Sequence, residues 1–235
     1  MLLHHYSFKI YDIFHPFILL FFLYLNFNSL LIHTVKTLIG SLFIPVFLLQ
    51  ILRFVVIVNL KKAHVLYVCF IDKFVFLSYL KVCLCNQKIC LIFKNMTIVC
   101  LYFVFSCILV HIFIVFYGAL VINYLLETIL CALHLTVLGI LPMICIFGVD
   151  RRKYMELVSL ELDLENFENL KLSVGFFGTF VGSWLGAIPI PLDWNKGWQK
   201  WPIPIVIGGY LGYSLSIFII FLVYVKKSIF FKKED

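Results

Sequence analysis

A polytopic all-α membrane protein is the fold class this sequence predicts, and three observations carry the prediction. Hydrophobic residues fill 63% of the 235 positions and charged residues 13%, with mean hydropathy +1.07. A soluble domain runs nearer half apolar and a quarter charged. This chain therefore has too little polar surface for a water-facing exterior, and the same numbers exclude disorder. The apolar residues also come in continuous runs of span length rather than alternating, which argues against a transmembrane β-barrel. Finally, the basic residues are unevenly placed between successive runs. At about 20 residues per span the length allows roughly six to eight spans, with no room for a separate soluble catalytic domain.

Taken in order, the first span is predicted at residues 13–32. It lacks a basic leader and a small-residue cleavage site, so it reads as a retained anchor rather than a signal peptide. The second covers 38–58, with Arg53 near one end, where it can snorkel to the headgroups. The third covers 96–115, and a tight connection around 117–126 leads to the fourth at 127–147. The fifth, 173–190, is short and Gly-rich, and the sixth is 203–225. Residues 63–85 are apolar but carry Asp72, Lys73 and Lys81. A charge at the bilayer centre costs roughly 2.5–3.5 kcal/mol, so this stretch is assigned to the interface. With six spans and a cytosolic N-terminus, sixteen of the nineteen Lys and Arg residues fall on or near the cytosolic side. Only Lys36, Lys196 and Lys200 fall opposite, and both termini are then cytosolic. The formal charge of +7 is thus an orientation signal, and nucleic acid is not predicted as a partner.

The connection 150–172 holds six of the twelve acidic residues. Leu157, Leu160, Leu164 and Phe167 recur at helical spacing with Glu161, Glu165 and Glu168 opposite, which predicts an amphipathic cytosolic helix. Its acidic face is either solvated or meets a partner.

Chemistry is sparse. The eight cysteines are Cys69, Cys83, Cys85, Cys90, Cys100, Cys107, Cys131 and Cys145. All fall in spans or in the predicted cytosolic loop, so no structural disulfide is expected. Cys83, Cys85 and Cys90 lack a fourth ligand for zinc. His111 and His134 lie within spans, where an ionisable group is a functional candidate; a neutral imidazole bonded to a neighbouring helix is the plainer reading. Motifs for hydrolases, metalloproteases, P-loops and dinucleotide binding are missing. On the non-cytosolic face the carboxylates are Glu127, at the entry to the fourth span, and Asp193. Two separated carboxylates cannot hold the ions of metal-assisted phosphoryl transfer. No catalytic residue, metal or cofactor is therefore predicted.

The C-terminal third is more specific. Gly178, Gly182 and Gly186 recur every four residues on the fifth span, and Gly208, Gly212 and Ser216 do so on the sixth. Small residues at this spacing let helix backbones approach closely in lipid. The two stripes either pack on each other as a hairpin or meet another subunit's helix. Between the spans run Pro189, Pro191, Asp193, Trp194, Trp198, Trp201 and Pro202. Each X-Pro pair pushes the preceding residue away from helix, so Ile188 and Ile190 are predicted extended. Pro202 and Pro204 suit the first turn of the sixth span. Trp194, Trp198 and Trp201 suit a membrane–water interface as amphipathic anchors.

The run GSWLGAIPIPLDWNKGWQKWPIPIVIGGYLGY closely resembles the signature of the PIG-F family of glycosylphosphatidylinositol (GPI) biosynthesis. The matching positions are Gly182, Trp184, Leu185, Gly186, Ala187, Pro189, Ile190, Pro191, Leu192, Asp193, Trp194, Trp198, Gln199, Trp201, Pro202, Gly212 and Tyr213. A weaker match is Tyr117-Gly118-Ala119, then Leu126-Glu127-Thr128 and Pro142. The resemblance covers roughly residues 111–225. It departs from the family at Asn195-Lys196-Gly197 and in a long, apolar connection over 60–95. Residues 1–95 are thus read as a divergent part with two spans and a long cytosolic connection. Residues 96–235 are read as the family-like part, with four spans and a luminal signature loop.

The resemblance implies a multi-pass protein of the endoplasmic reticulum membrane with no catalytic site of its own. Its partners would be the catalytic subunits that transfer ethanolamine phosphate to the GPI anchor, together with membrane lipid. It also implies a site made of the glycines, prolines and tryptophans above with Asp193 and Glu127. Lys232 and Lys233, fourth and third from the end, match a cytosolic dilysine retrieval signal or a plain basic flank. The alternative reading is a small membrane enzyme or lipid transporter using Glu127 and Asp193.

Overall fold

The computed structural model describes residues 10–51, 86–119, 123–148, 150–158, 167–192 and 194–231. Among them there is helix and no strand. Eight helical segments follow in order: α1 Ile10–Leu25, α2 Phe27–Ile32, α3 Thr34–Ile51, α4 Asn86–Phe116, α5 Leu125–Phe147, α6 Arg151–Val158, α7 Phe167–Ala187 and α8 Ile203–Phe231. Five stretches among the described residues are long and apolar enough to cross a bilayer: Thr34–Ile51, Thr97–Phe116, Leu125–Phe147, Asn169–Leu192 and Ile203–Lys226. Phe14–Leu25 is a shorter apolar helix.

The expected first span, 13–32, is not one uninterrupted helix. It is distorted at Asn26 (φ −96°, ψ 2°), where the side-chain amide joins the backbone N–H in donating to the Phe22 carbonyl, at 2.8 and 3.2 Å. An Asn that bonds its own preceding turn competes with the helical ladder. The second expected span begins four residues earlier than predicted, at Thr34, immediately after His33. Residues 52–58 of that span and the segment 63–85 lie outside the described residues, as do Cys69, Cys83 and Cys85.

Two helices contain a widened turn. In α5 it spans Thr136–Ile140, just before Pro142. Proline removes one amide donor and its ring presses on the carbonyl four residues earlier. A wider turn accommodates both without ending the helix. In α3 the widened turn is Thr37–Phe43.

Among the described residues the main hydrophobic core runs through the bundle. It joins Leu19, Leu30, Leu38 and Val46 from the first three helices to Val110, Leu138 and Tyr210 from α4, α5 and α8. The helix α5 is the central element and carries much of that core, whereas α4 lies at the periphery. His15 of α1 meets Tyr213 of α8 edge-on, with ring centroids 5.8 Å apart.

Where described, the connection after α5 is helical over Arg151–Val158. Asp150 accepts from the Arg152 amide and so caps α6. Leu157 is buried with Met143, Phe147 and Leu172. Tyr154 donates to the Gly148 carbonyl at 3.1 Å, and burial pushes its phenol up to about 12. Residues 159–166, with Leu160, Glu161, Leu164 and Glu165, lie outside the described residues. Phe167 begins α7 itself.

Candidate functional site

The two glycine stripes meet each other. A Cβ built on Gly182 would collide with the Gly208 carbonyl and come within 2.7 Å of the Gly212 Cα. One on Gly178 would strike the Ser216 side chain and the Gly212 carbonyl, and one on Gly186 the Pro204 carbonyl. The contact is reciprocal, because Gly208 and Gly212 face the carbonyls of Gly182 and Gly178. Both stripes are thus spent within the chain, backbone against backbone, and α7 and α8 form a hairpin. Of the two arrangements open to the sequence, the described geometry is the hairpin.

The loop across the end of this hairpin is internally bonded. The α7 helix stops at Ala187, and a turn of 3-10 helix covers Ile190–Leu192. The predicted extended backbone at Ile190 is therefore corrected: Leu192 N–H closes back on the Pro189 carbonyl at 3.3 Å. That bond tightens Pro189–Leu192 into a turn despite the preference of a residue preceding proline. A second short turn covers Gly197–Gln199, reached through Asn195 at φ +52°. Asn tolerates the left-handed region better than most residues, which fits its presence at a departure from the family pattern.

Gln199 is the clamp of the loop. Its side chain is buried, donates to the Pro189 carbonyl at 2.7 Å and accepts the Lys196 amide at 3.0 Å. One amide thereby joins the two short turns. Trp194 is exposed and meets Trp198 edge-on at 6.0 Å. Trp184 projects from α7 and is 59% exposed. These positions suit amphipathic ring anchors. Trp201 does not match that description. It is half-buried against the core, and its indole N–H donates to the Thr128 hydroxyl oxygen at 3.1 Å. The Thr128 hydroxyl in turn donates to the Tyr124 carbonyl at 2.7 Å. This bond ties the loop to the first turn of α5, so the two matching segments of the sequence are neighbours in space. Pro202 is buried just ahead of α8 rather than inside it, and its carbonyl accepts the Ile205 and Val206 amides. Pro204 is in the first turn of α8, as predicted.

Glu127 lies in the first turn of α5, partly buried, one residue before Thr128. Asp193, Lys232 and Lys233 lie outside the described residues. Among the described residues no three His, Cys, Asp or Glu side chains gather where they could hold a metal ion.

A second polar tie lies deeper. His134 of α5 is fully buried, with Nε2 3.1 Å from the Leu38 carbonyl and Nδ1 3.0 Å from the Tyr210 hydroxyl. A carbonyl can only accept, so Nε2 carries the ring proton. Nδ1 is then the acceptor and Tyr210 the donor. A neutral imidazole thereby links α3, α5 and α8. This is the bonded-histidine alternative for His134, with both partners identified. The sequence did not single out Tyr210, although it stands in the Gly208-Gly209-Tyr210 run near the end of the C-terminal motif.

A family model described as the GPI biosynthesis protein family Pig-F matches residues 14–220. The chain belongs to this family. The Pig-F match begins far upstream of residue 111, so family likeness extends into the N-terminal half. Among similar curated proteins is the human "GPI ethanolamine phosphate transferase, stabilizing subunit", 38% identical over 120 residues, 51% of this chain and 54% of the relative. Another is "Glycosylphosphatidylinositol anchor biosynthesis protein 11" of Yarrowia lipolytica, 34% identical over 113 residues, 48% of each chain. A Schizosaccharomyces pombe "PIGF/3-ketodihydrosphingosine reductase fusion protein" is 34% identical over 110 residues, 46% of this chain and 22% of the relative. The chain thus spans about half the length of the curated relatives it matches. No solved structure matches it.

Proposed function

We propose that this Pig-F family member is a non-catalytic stabilising subunit of ethanolamine phosphate transferases in GPI-anchor biosynthesis. It is a multi-pass protein of the endoplasmic reticulum membrane, with six spans and both termini cytosolic. The observation that carries the reading is the family match over residues 14–220, with a relative named as a stabilizing subunit. The sequence inventory supports it, since the proposed luminal face holds two separated carboxylates and no ligand set for phosphoryl transfer. The division into residues 1–95 and 96–235 is one of likeness to the family motif. The loop held by Gln199 and Trp201, with exposed Trp194, is the surface offered to the catalytic partner.

The deciding experiment removes the chain and measures the partner. Its steady-state level should fall, and GPI precursors should lack an ethanolamine phosphate, because modest stability losses change abundance several-fold. Activity is then normalised to the amount of partner for Asp193→Asn and Glu127→Gln. Both variants should keep substantial normalised activity. Loss of that activity at normal partner level and binding would give the carboxylate a chemical role and overturn the reading. The orientation has its own check: Asn95-Met96-Thr97 is a glycosylation sequon placed on the cytosolic side, so it should stay unmodified. A glycosidase-sensitive mass shift abolished by Asn95→Gln would invert the topology. Lys232→Ser with Lys233→Ser should let part of the protein reach the Golgi.

A further inference from the structure

A groove of about 710 Å³ opens on the side of the bundle between α4, α7 and the loop. Its mouth is framed by rings, among them Phe113, Tyr117 and Trp184, each more than half exposed. Its floor reaches the core at Leu135, Ser183 and Ile205, all buried. One end is closed by the loop, where Pro191 and Trp201 lie with Gly118 of the α4–α5 turn. The groove is therefore apolar along the helices and meets polar backbone where the helices end. Exposed Lys200 stands beside Trp201 in the chain, and Glu127 beside Thr128, the residue that binds the Trp201 indole.

We propose that this groove holds an acyl chain of a bilayer phospholipid, with the headgroup at the loop end near Lys200. Three features select a lipid chain over a partner helix. Helices associate in lipid through small residues that let backbones approach. Here Ser183 lies buried on the floor and Ala187 is only partly exposed, both behind a mouth of large rings, while Gly118 sits in the turn after α4. A helix resting on those rings would leave the floor empty, and an unfilled void forfeits its dispersion contacts. A flexible hydrocarbon chain passes between the rings and reaches the floor. The cavity also has the size of small-molecule sites, and its single polar end matches the one polar end of a phospholipid. Lys200, next in the chain to the lining residue Trp201, is the cation assigned to the phosphate. The assignment is independent of the stabilising-subunit reading.

The test uses the full chain in its native membrane with a benzophenone amino acid at Val181, on the rim of the groove, or at Leu222, equally exposed on α8. Irradiation should give a phospholipid adduct at Val181 well above that at Leu222. In parallel, a phosphatidylcholine with a photoactivatable acyl chain should label the peptide containing Ser183 and Ala187 in preference to the one containing Leu222. Ala187→Phe fills the groove and should reduce that labelling about tenfold, the loss that about 1.4 kcal/mol of excluded contact gives. Val181→Trp closes the rim from an exposed position and should act in the same direction should Ala187→Phe fail to fold. Equal labelling of both peptides would overturn the proposal. So would labelling unchanged by a folded groove variant, a protein adduct at Val181 or a glycolipid adduct in place of phospholipid.

Discussion

The helices α4 and α7 make opposite use of the same solvent. The described span of α4 is the most apolar of the five membrane-length stretches, yet most of its surface is exposed. The span built on α7 is more polar and Gly-rich, and its backbone packs directly on that of α8. In water the more apolar helix would be the better buried. In a bilayer the lipid tails are as apolar as leucine, so hydrophobicity gives two helices no reason to meet. What brings α7 and α8 together is backbone shape: three glycines facing two glycines and a serine. The comparison separates getting into the membrane, which α4 does best, from packing within it, which α7 does best.

The largest effect should come from filling the glycine seam. Gly182→Leu places a branched side chain where even a Cβ meets backbone. Overpacking of this kind costs about 1–3 kcal/mol or more, so the level of folded chain in membranes should collapse. If Gly182→Leu accumulates like wild type, close packing is not what separates α7 from α4. Next comes the buried histidine. Tyr210→Phe leaves His134 Nδ1 buried without its donor, which should cost about 1–3 kcal/mol and lower the thermal midpoint of the detergent-solubilised chain. Trp201→Phe keeps the ring but loses the bond to Thr128, for about 0.5–1.5 kcal/mol. A double-mutant cycle with Thr128→Val should give positive coupling, and zero coupling would remove the proposed tie between loop and α5. The smallest effect belongs to α4. Leu109→Ala, on its exposed face, should change stability by less than about 0.5 kcal/mol. A large loss there would mean that this face is covered by protein rather than lipid.

Much of this architecture was legible in the residues because the membrane imposes long apolar runs. The membrane-length stretches Thr97–Phe116, Leu125–Phe147, Asn169–Leu192 and Ile203–Lys226 fall close to their expected positions, although the helix α4 itself begins earlier, at Asn86. The glycine spacing identified the two faces and offered each as the other's partner, with another subunit's helix as the alternative. What composition could not show was local hydrogen bonding. The distortion at Asn26, the turn at Ile190 and the inward role of Trp201 each involve particular donor–acceptor pairs. Trp201 reads as one more interfacial ring until its N–H is seen to point at Thr128. Gln199 was visible only as a matching letter, since nothing in its spacing says that it reaches ten residues back to Pro189.

That reach has a thermodynamic meaning. A surface loop normally loses conformational freedom when something docks on it, and that loss subtracts from affinity. In this loop a buried amide already joins the Pro189 carbonyl to the Lys196 amide, so the two short turns it links have few alternatives left to surrender. Whatever settles against it meets a shape cast in advance. Gln199→Ala would leave every exposed ring in the sequence and still weaken recognition, because the loss would fall on the unbound state's entropy rather than on any contact made in the complex.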